Sequence, residues 1–457
     1  MRLIFTRPKA ALSDRGSICT RTCPEFEGRR SEDIGFLRMG ALVFLVGVAV
    51  PSILIVLGAG SANTQSILAL CAGASAFSLM AINLFLSARP RLLEPAFGGL
   101  DRLYQMHKWI GVGLLPLLLF HKFVGMDLDG SIIATGLAKT AVDIAKIAFL
   151  ILVPLILLSW VKRLPKMRKD LIPYNIWRIG HRLMGVVFLA LVVHQFFVTV
   201  PFDANSMIAQ YLNLMAVVGV GSFLYTQFLA PFRPKSFVVS NVACHTAATI
   251  IDATPKRRGF TNLKPGGFGV ISFSKKGLRE PHPFTISRIG EDGSLQFSIR
   301  ALGDYTGRLR SGVAAGDRMR IEAGYGGFDY RQGEDSQIWL AGGIGITPFL
   351  AFADSLTKEN ARDIVLVYCV GKLDEAVGLE RLRAAEGRTG SFKLHLHVSE
   401  TGGRMDATKL SDLVGANMST MGFWFCGPAP MREGIIKGLR ANGTAPNSVH
   451  FEEFEFR

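Results

Sequence analysis

Six apolar stretches occupy the first half of the chain, at about 38–60, 67–88, 107–125, 141–161, 180–200 and 208–230. Each approaches the roughly 20 residues that an α-helix needs to cross a hydrocarbon layer of about 30 Å. Pro51, Pro116 and Pro154 fall inside these stretches, where a soluble helix would be broken but a membrane helix tolerates them. After Pro231 and Pro234 the pattern changes. Short alternating runs follow at Phe237–Val239, Phe268–Phe273, Phe284–Ser287 and Leu295–Ile299, punctuated by glycine turns, and they predict an antiparallel barrel. From 336 onward, strand-like runs at 337–341, 364–370, 393–398 and 421–426 alternate with helical stretches at 348–356, 375–385 and 430–441. That is the pattern of an α/β nucleotide-binding domain. The expected organisation is a multidomain membrane protein: a tail over 1–37, a six-helix bundle over 38–232, a barrel over 235–335 and an α/β domain over 336–457.

Composition agrees with this division. The 457 residues are 49% hydrophobic and 19% charged, which excludes a disordered chain and makes an ordinary soluble enzyme a poor description. The net charge of +15 would ordinarily raise nucleic acid as a partner. Its placement argues instead for loops facing an anionic membrane surface. Arg89, Arg91, Arg102 and Lys108 fall within 89–108, and Lys162, Arg163, Lys166, Arg168, Lys169 and Arg178 within 162–178. The alternate connections 61–66 and 198–207 carry no lysine or arginine, and 122–140 carries only Lys122 and Lys139. The positive-inside bias therefore predicts a multi-pass protein of the inner (plasma) membrane with both termini cytoplasmic. The first 37 residues hold arginines and five acidic residues without a long apolar run, and read as a tail, not a cleaved signal peptide. Cysteines at 19, 23, 71, 244, 369 and 426 make no disulfide framework or familiar zinc or iron–sulfur spacing.

Histidine placement carries the chemistry of the bundle. His107 and His121 stand near the ends of the third stretch, His181 and His194 near the ends of the fifth. The separations correspond to rises of about 21 Å and 19.5 Å, so the histidines form two pairs at matching depths. Two opposed imidazoles at one depth can ligate a haem iron axially, and two such pairs fit two stacked b-type haems. Ionisable side chains in hydrocarbon are costly unless paired or coordinated; proton relay or interfacial anchoring is the competing use. Thirteen residues leave about 140° between His181 and His194 on an ideal helix, so that helix is distorted or its haems lie on different flanks.

Three further segments suit nucleotide chemistry. His282-Pro283-Phe284-Thr285-Ile286-Ser287 offers an aromatic, a hydroxyl and a ring donor beside a strand. Gly303-Asp304-Tyr305-Thr306-Gly307-Arg308 combines small residues, backbone N–H groups and a guanidinium, as pyrophosphate requires. Gly342-Gly343-Ile344-Gly345-Ile346-Thr347-Pro348 follows a strand and precedes a helix, so a second pyrophosphate can rest on the helix N-terminus.

In this order the segments resemble the ferric reductase and NADPH oxidase superfamily over roughly residues 38–457. The resemblance implies a six-helix haem domain fused to a ferredoxin–NADP reductase-type module. It places an inner haem on His107 and His181 and an outer haem on His121 and His194, and FAD along 282–287 and 303–308. NAD(P)H is implied at Gly342, Gly343, Gly345, Thr347 and Pro348. Cys426, Gly427 and Pro428 resemble the segment whose cysteine lies near the nicotinamide. Phe451–Arg457 resembles the carboxy-terminal end that supplies an aromatic over the flavin, Phe454 or Phe456. Lys372 or Arg404 could pair with a 2′-phosphate, a lean toward NADPH over NADH. Where the family has an arginine opening the flavin strand, this chain has His282. It lacks a four-cysteine iron–sulfur module and an EF-hand loop of the usual pattern.

The implied activity is a transmembrane NAD(P)H oxidase or ferric-chelate reductase. Hydride passes from NAD(P)H to FAD, and single electrons pass through two haems to dioxygen or a ferric chelate on the outer side. Outward movement of an electron is favoured by about 2.3 kcal/mol per 100 mV, inside negative. The expected partners are the lipid bilayer, NAD(P)H and the acceptor, with no nucleic acid and no obligate protein partner. The alternative is a haem-bearing cytochrome serving a quinone or periplasmic protein, its nucleotide binding lost.

Overall fold

The structure is a computed structural model that describes residues 31–58, 60, 62–124, 136–161, 174–198, 201–359, 362–415 and 418–452. Cys19 and Cys23, most of the loops 122–140 and 162–178, and both Phe454 and Phe456 lie outside the described residues.

The first helix, α1 (Ser31–Phe44), runs through a π-helical turn at Leu45–Ala49 into α2 (Val50–Gly58). It thus begins inside the segment expected as a tail, because loss of apolarity alone does not end a helix. Next come α3 (Thr64–Ser87), a short α4 (Glu94–Phe97), α5 (Leu100–Phe123), α6 (Gly136–Trp160), α7 (Tyr174–Phe197) and α8 (Met207–Leu224). A π-turn at Tyr225–Leu229 and a 3-10 turn at Ala230–Phe232 follow. Among the described residues five spans, Gly35–Gly58, Thr64–Ser87, Gly136–Trp160, Ile176–Phe197 and Met207–Phe232, are long and apolar enough to cross a membrane. The helix α5 is equally long but carries Asp101, Arg102, His107, Lys108, His121 and Lys122. Its polarity is the cost of the two histidines and the charges flanking them.

Helix α3 is the buried centre of the bundle. Its small residues Ala69, Ala72, Ser75, Ala76, Ser78 and Ala81 are buried, allowing neighbouring backbones to come close. A Cβ on Gly219 of α8 would meet Phe188 at 2.3 Å and the Ala81 Cα at 3.2 Å. Outward faces carry exposed Leu57, Ile147, Leu150 and Val217, a surface matched to lipid and not to water.

The chain then builds a closed antiparallel barrel from β1 (Lys235–Cys244), β2 (Thr249–Pro255), β3 (Phe268–Phe273), β4 (His282–Ile289), β5 (Leu295–Ile299) and β6 (Arg318–Tyr325). The order is β1-β2-β5-β4-β3-β6, and α9 (Asp304–Gly312) lies between β5 and β6. Alternate residues such as Phe237, Ile251, Ile271, Phe297 and Ile321 fill the interior.

The last domain has β7 (Ser336–Gly342), α10 (Thr347–Ser355), β8 (Asp363–Val370), α11 (Leu379–Thr389), β9 (Phe392–Val398), α12 (Ser399–Gly402), α13 (Ala407–Val414), β10 (Gly422–Cys426), α14 (Ala429–Ala441) and β11 (Ser448–Phe451). The sheet is parallel, ordered β11-β10-β7-β8-β9. Both faces are covered: Ile338 and Leu340 pack into one core, Trp339 and Ala341 into the other. This explains the continuous apolar reading of β7.

Bundle and barrel are joined through Glu322 of β6. Its carboxylate takes Arg233 at 2.9 Å and Arg89 at 3.3 Å and accepts the Tyr325 hydroxyl. Glu94 accepts the Gly326 N–H at 2.8 Å.

Candidate electron-transfer site

The rings of His107 and His181 face each other across α5 and α7, centroids 6.0 Å apart and planes at 64°. Two metal–nitrogen bonds of about 2 Å each, with the half-widths of two imidazoles, fill that separation. Their other ring nitrogens are tethered. His107 Nδ1 lies 3.1 Å from the Asn83 carbonyl and His121 Nδ1 2.8 Å from the Ala69 carbonyl. A carbonyl can only accept, so Nδ1 carries the proton in both rings and Nε2 keeps its lone pair. Ser159 Oγ donates its one hydrogen to the Leu155 carbonyl at 2.7 Å. Its 3.1 Å contact with His181 Nδ1 is therefore donated by the ring, leaving His181 in the same ligating tautomer.

The two carbonyls on α3 are separated by as many residues as the two histidines on α5. Antiparallel packing of the helices brings both pairs into register. His121 also packs on Gly73, where a Cβ would stand 2.5 Å from Nδ1. His194 is near enough to His121 to interact with it electrostatically, and its Nδ1 lies toward the Ala141 backbone without a closed hydrogen bond. Helix α7 is continuous from Tyr174 to Phe197, so helix distortion does not take up the offset between its histidines; different flanks do. Trp177 stacks on His181, centroids 4.9 Å apart and 22° between planes. Two buried imidazole pairs, with Nδ1 anchored in His107, His121 and His181, suit the ligation of two b-type haems. Among the described residues no cluster of three or more metal-ligating side chains competes with this arrangement.

On the barrel, His282 to Ser287 lie within β4. Pro283 pairs with Val270 on β3 only, at the stretch where β5 has not yet joined. Ile286 points into the barrel core, and Ser287 is buried with its hydroxyl on the Gln296 carbonyl at 3.1 Å. His282 stacks on Tyr305, centroids 3.7 Å apart, and Phe284 lies on its other side at 6.5 Å. Burial lowers the His282 pKa and raises that of the Tyr305 phenol, so both rings are neutral near pH 7. Arg178, three residues before His181, acts electrostatically on His282. The start of β4 therefore lies within electrostatic range of the helix that carries His181.

Gly303 caps α9 in extended conformation, and Thr306 Oγ1 accepts the Leu302 and Gly303 N–H groups at 2.9 and 3.0 Å. A Cβ on Gly303 or Gly307 would meet nothing within 4 Å. Space for a pyrophosphate therefore exists at this helix N-terminus, beside Asp304 and Arg308.

In the α/β domain the run from Gly342 leaves β7 through a 3-10 turn, Gly343–Ile346, into α10, with Thr347 buried and Pro348 in its first turn. Gly343 has φ +57°, and a Cβ on Gly345 would lie 2.1 Å from the Cys426 carbonyl oxygen. Gly427 and Gly342 meet backbone to backbone, and Pro428 caps α14. These loops leave neighbouring strands β7 and β10, whose crossovers go opposite ways, where open α/β sheets bind ligands. Arg300, missed by the sequence reading, extends to within 3.7 Å of the Gly343 Cβ position. Lys372 follows β8 and pairs with Glu400 at 3.8 Å; Arg404 follows α12 on the adjacent loop and is exposed.

Cys426 ends β10 fully buried, and burial keeps its thiol protonated. Beside it is Glu452, also missed from the sequence, with an inaccessible Oε2. Burial, then the nearby Asp101 charge, push its carboxyl up to about 8. Glu452 also approaches Thr285 of β4, acts electrostatically on Cys426, and donates its backbone N–H to the Phe425 carbonyl at 3.4 Å.

Three family models match: a ferric reductase like transmembrane component over residues 72–192, an FAD-binding domain over 235–334 and an oxidoreductase NAD-binding domain over 339–437. Ferric reduction oxidase 7 of Arabidopsis thaliana is 23% identical over 350 residues, covering 68% of this chain and 44% of that one. Respiratory burst oxidase homolog protein B of the same plant is 29% identical over 159 residues, 34% of this chain and 18% of that one. The toluate 1,2-dioxygenase electron transfer component of Pseudomonas putida is 25% identical over 197 residues, 42% of this chain and 58% of that one. The chain spans about half the length of the first curated relatives it matches. Among solved structures, a flavohemoglobin from Malassezia yamatoensis aligns at TM-score 0.46 and 16% identity, over 94% of this chain and 100% of that one. The chain thus joins a ferric reductase-like transmembrane component to an FAD-binding and an NAD-binding domain, the organisation that its resemblance to the ferric reductase and NADPH oxidase superfamily implies.

Proposed function

We propose that the chain is a transmembrane oxidoreductase that carries electrons from NAD(P)H on the barrel side of the membrane to dioxygen or a ferric chelate on the far side. The observation that carries the reading is the His107–His181 pair, 6.0 Å apart, with each Nδ1 anchored and each Nε2 free. The basic residues Arg89, Arg91, Arg102, Lys108 and Arg178 support a cytoplasmic barrel side in an inner (plasma) membrane.

Bound FAD would supply the exchange between two-electron and one-electron chemistry, and haem iron single-electron carriage. The chain's own residues do the rest. Gly342, Gly343 and Gly345 hold the nucleotide backbone close to β7 and β10, with Cys426 walling the nicotinamide end. The N-terminus of α9, with Arg308, neutralises the FAD pyrophosphate, and Phe284 and Thr285 line the flavin. Glu452, protonated at neutral pH, holds a proton beside Thr285 and Cys426. Asn83, Ala69 and Ser159 keep His107, His121 and His181 in the ligating tautomer, and the bundle excludes water from the histidines. Lys372 or Arg404 would pair with a 2′-phosphate, and Phe454 or Phe456 would cover the flavin. His107 with His181, and His121 with His194, would hold haem iron, which would supply single electrons to the acceptor.

The test is an NAD(P)H-driven assay on the purified full chain with FAD, scored as ferric-chelate reduction with and without oxygen and superoxide dismutase. Iron reduction that persists without oxygen indicates a ferric reductase; reduction that vanishes with oxygen or superoxide removed indicates an oxidase. Absence of haem reduction under both conditions contradicts the reading.

A further inference from the structure

A cavity of about 530 Å³ lies where the bundle meets the barrel, between the ends of α3 and α8. Phe85, Ala88 and Tyr225 wall its membrane side, and Arg89, Arg91 and Arg233 its barrel side. It is not the histidine site. Phe85 is two residues beyond Asn83, whose carbonyl takes His107, and so about 200° around α3.

Three guanidinium groups line the cavity and no carboxylate does. Glu322, behind the wall, is shared between Arg233 and Arg89. Arg91 donates to the Ala323 carbonyl at 3.2 Å and lies 5.6 Å over the Tyr325 ring, with no ion pair among the described residues. Glu94, which is not in the wall, feels Arg91 electrostatically, so three guanidinium groups face two carboxylates and the cluster keeps a net positive charge. Gly221 leaves the opposite wall open, since a Cβ there would meet nothing within 4 Å.

A site for a free anion has no need of apolar helix ends, and a site for an acyl chain alone has no need of three arginines. A phosphodiester joined to hydrocarbon needs both, and guanidinium is the side chain suited to phosphate oxygens. We propose that this cavity binds the headgroup phosphate of an anionic phospholipid from the leaflet on the barrel side. Arg89 and Arg233 also grip Glu322, so the lipid would share the arginines that fasten the barrel to the membrane. The proposal stands apart from the electron-transfer reading and does not depend on it.

The full chain, purified in neutral detergent, would be titrated with dioleoylphosphatidylglycerol, dioleoylphosphatidylcholine or inorganic phosphate. Thermal melting and retained adducts in native mass spectrometry give the readouts. Phosphatidylglycerol should bind saturably and about tenfold more tightly than phosphatidylcholine, a difference of ~1.4 kcal/mol, and inorganic phosphate should leave the melting curve unchanged. Arg91→Gln should weaken phosphatidylglycerol binding by a similar factor, and Gly221→Met, which fills the cavity without touching a charge, should abolish it. Circular dichroism and flavin content check that both variants fold. Equal binding of the two lipids would overturn the proposal. So would a full response to inorganic phosphate alone, or undiminished phosphatidylglycerol binding in either folded variant.

Discussion

Trp177 and His181 stack nearly face to face, with ring centroids 4.9 Å apart, on the side of the bundle where Arg178 feels His282 of the barrel. The indole packs on one face of the His181 ring and, with Ser159 on its Nδ1, fixes the plane of that ring.

Trp177→Leu removes the stack but leaves the Ser159 contact. Both haems should be retained, the electron paramagnetic resonance signal of one low-spin haem should shift, and haem reduction after flavin reduction should slow by about tenfold, ~1.4 kcal/mol. Stopped-flow absorbance separates the two reductions. An unchanged resonance and rate would make Trp177 packing only.

Gly73→Ala places a Cβ 2.5 Å from His121 Nδ1, which forces the ring off the Ala69 carbonyl. The expected result is loss of one haem of two, by pyridine haemochrome assay, with flavin reduction by NAD(P)H unaffected. Retention of both haems would show that the outer pair does not depend on this packing.

Glu452 gives a pH dependence of definite sign. The folded chain holds its proton up to about 8, whereas an unfolded glutamate releases it near 4.3. Between those values unfolding releases a proton, so stability falls as pH rises, by at most about 1.4 kcal/mol per pH unit. Glu452→Gln should flatten the decline, and its melting temperature should exceed that of wild type increasingly from pH 5 to pH 8. Parallel curves would place the carboxyl in an ordinary environment.

Lys372 and its partner Glu400 bear on nucleotide choice. If Lys372 meets a 2′-phosphate, Lys372→Ala should raise KM for NADPH about tenfold and leave KM for NADH within about twofold. Equal changes for both nucleotides would assign Lys372 to the Glu400 pair alone.

Much of this architecture is legible in the sequence because its signals are periodic or compositional. The apolar stretches mark the helices, and the doubly covered strand β7 reads as a continuous apolar run. Strand β2 is masked by Asp252 and β6 by Arg318, Arg320 and Glu322, which alternate with buried residues but dilute the apolar signal. The four histidines are visible by spacing. Their supports are not: Asn83 and Ala69 act through backbone carbonyls, which any residue possesses. Ser159 is one hydroxyl among many. Glu452 is identified only when folding brings Thr285, Cys426 and Asp101 around it.

The most direct test of the central claim is the haem content and spectrum of the purified full chain beside His194→Ala. The account predicts two low-spin b-type haems per chain in the wild type. His194→Ala should keep one, reduce its flavin at the wild-type rate, and lose reduction of external acceptors. A wild-type protein that binds flavin but shows no low-spin haem spectrum, or a His194→Ala variant that reduces external acceptors at full rate, would contradict it.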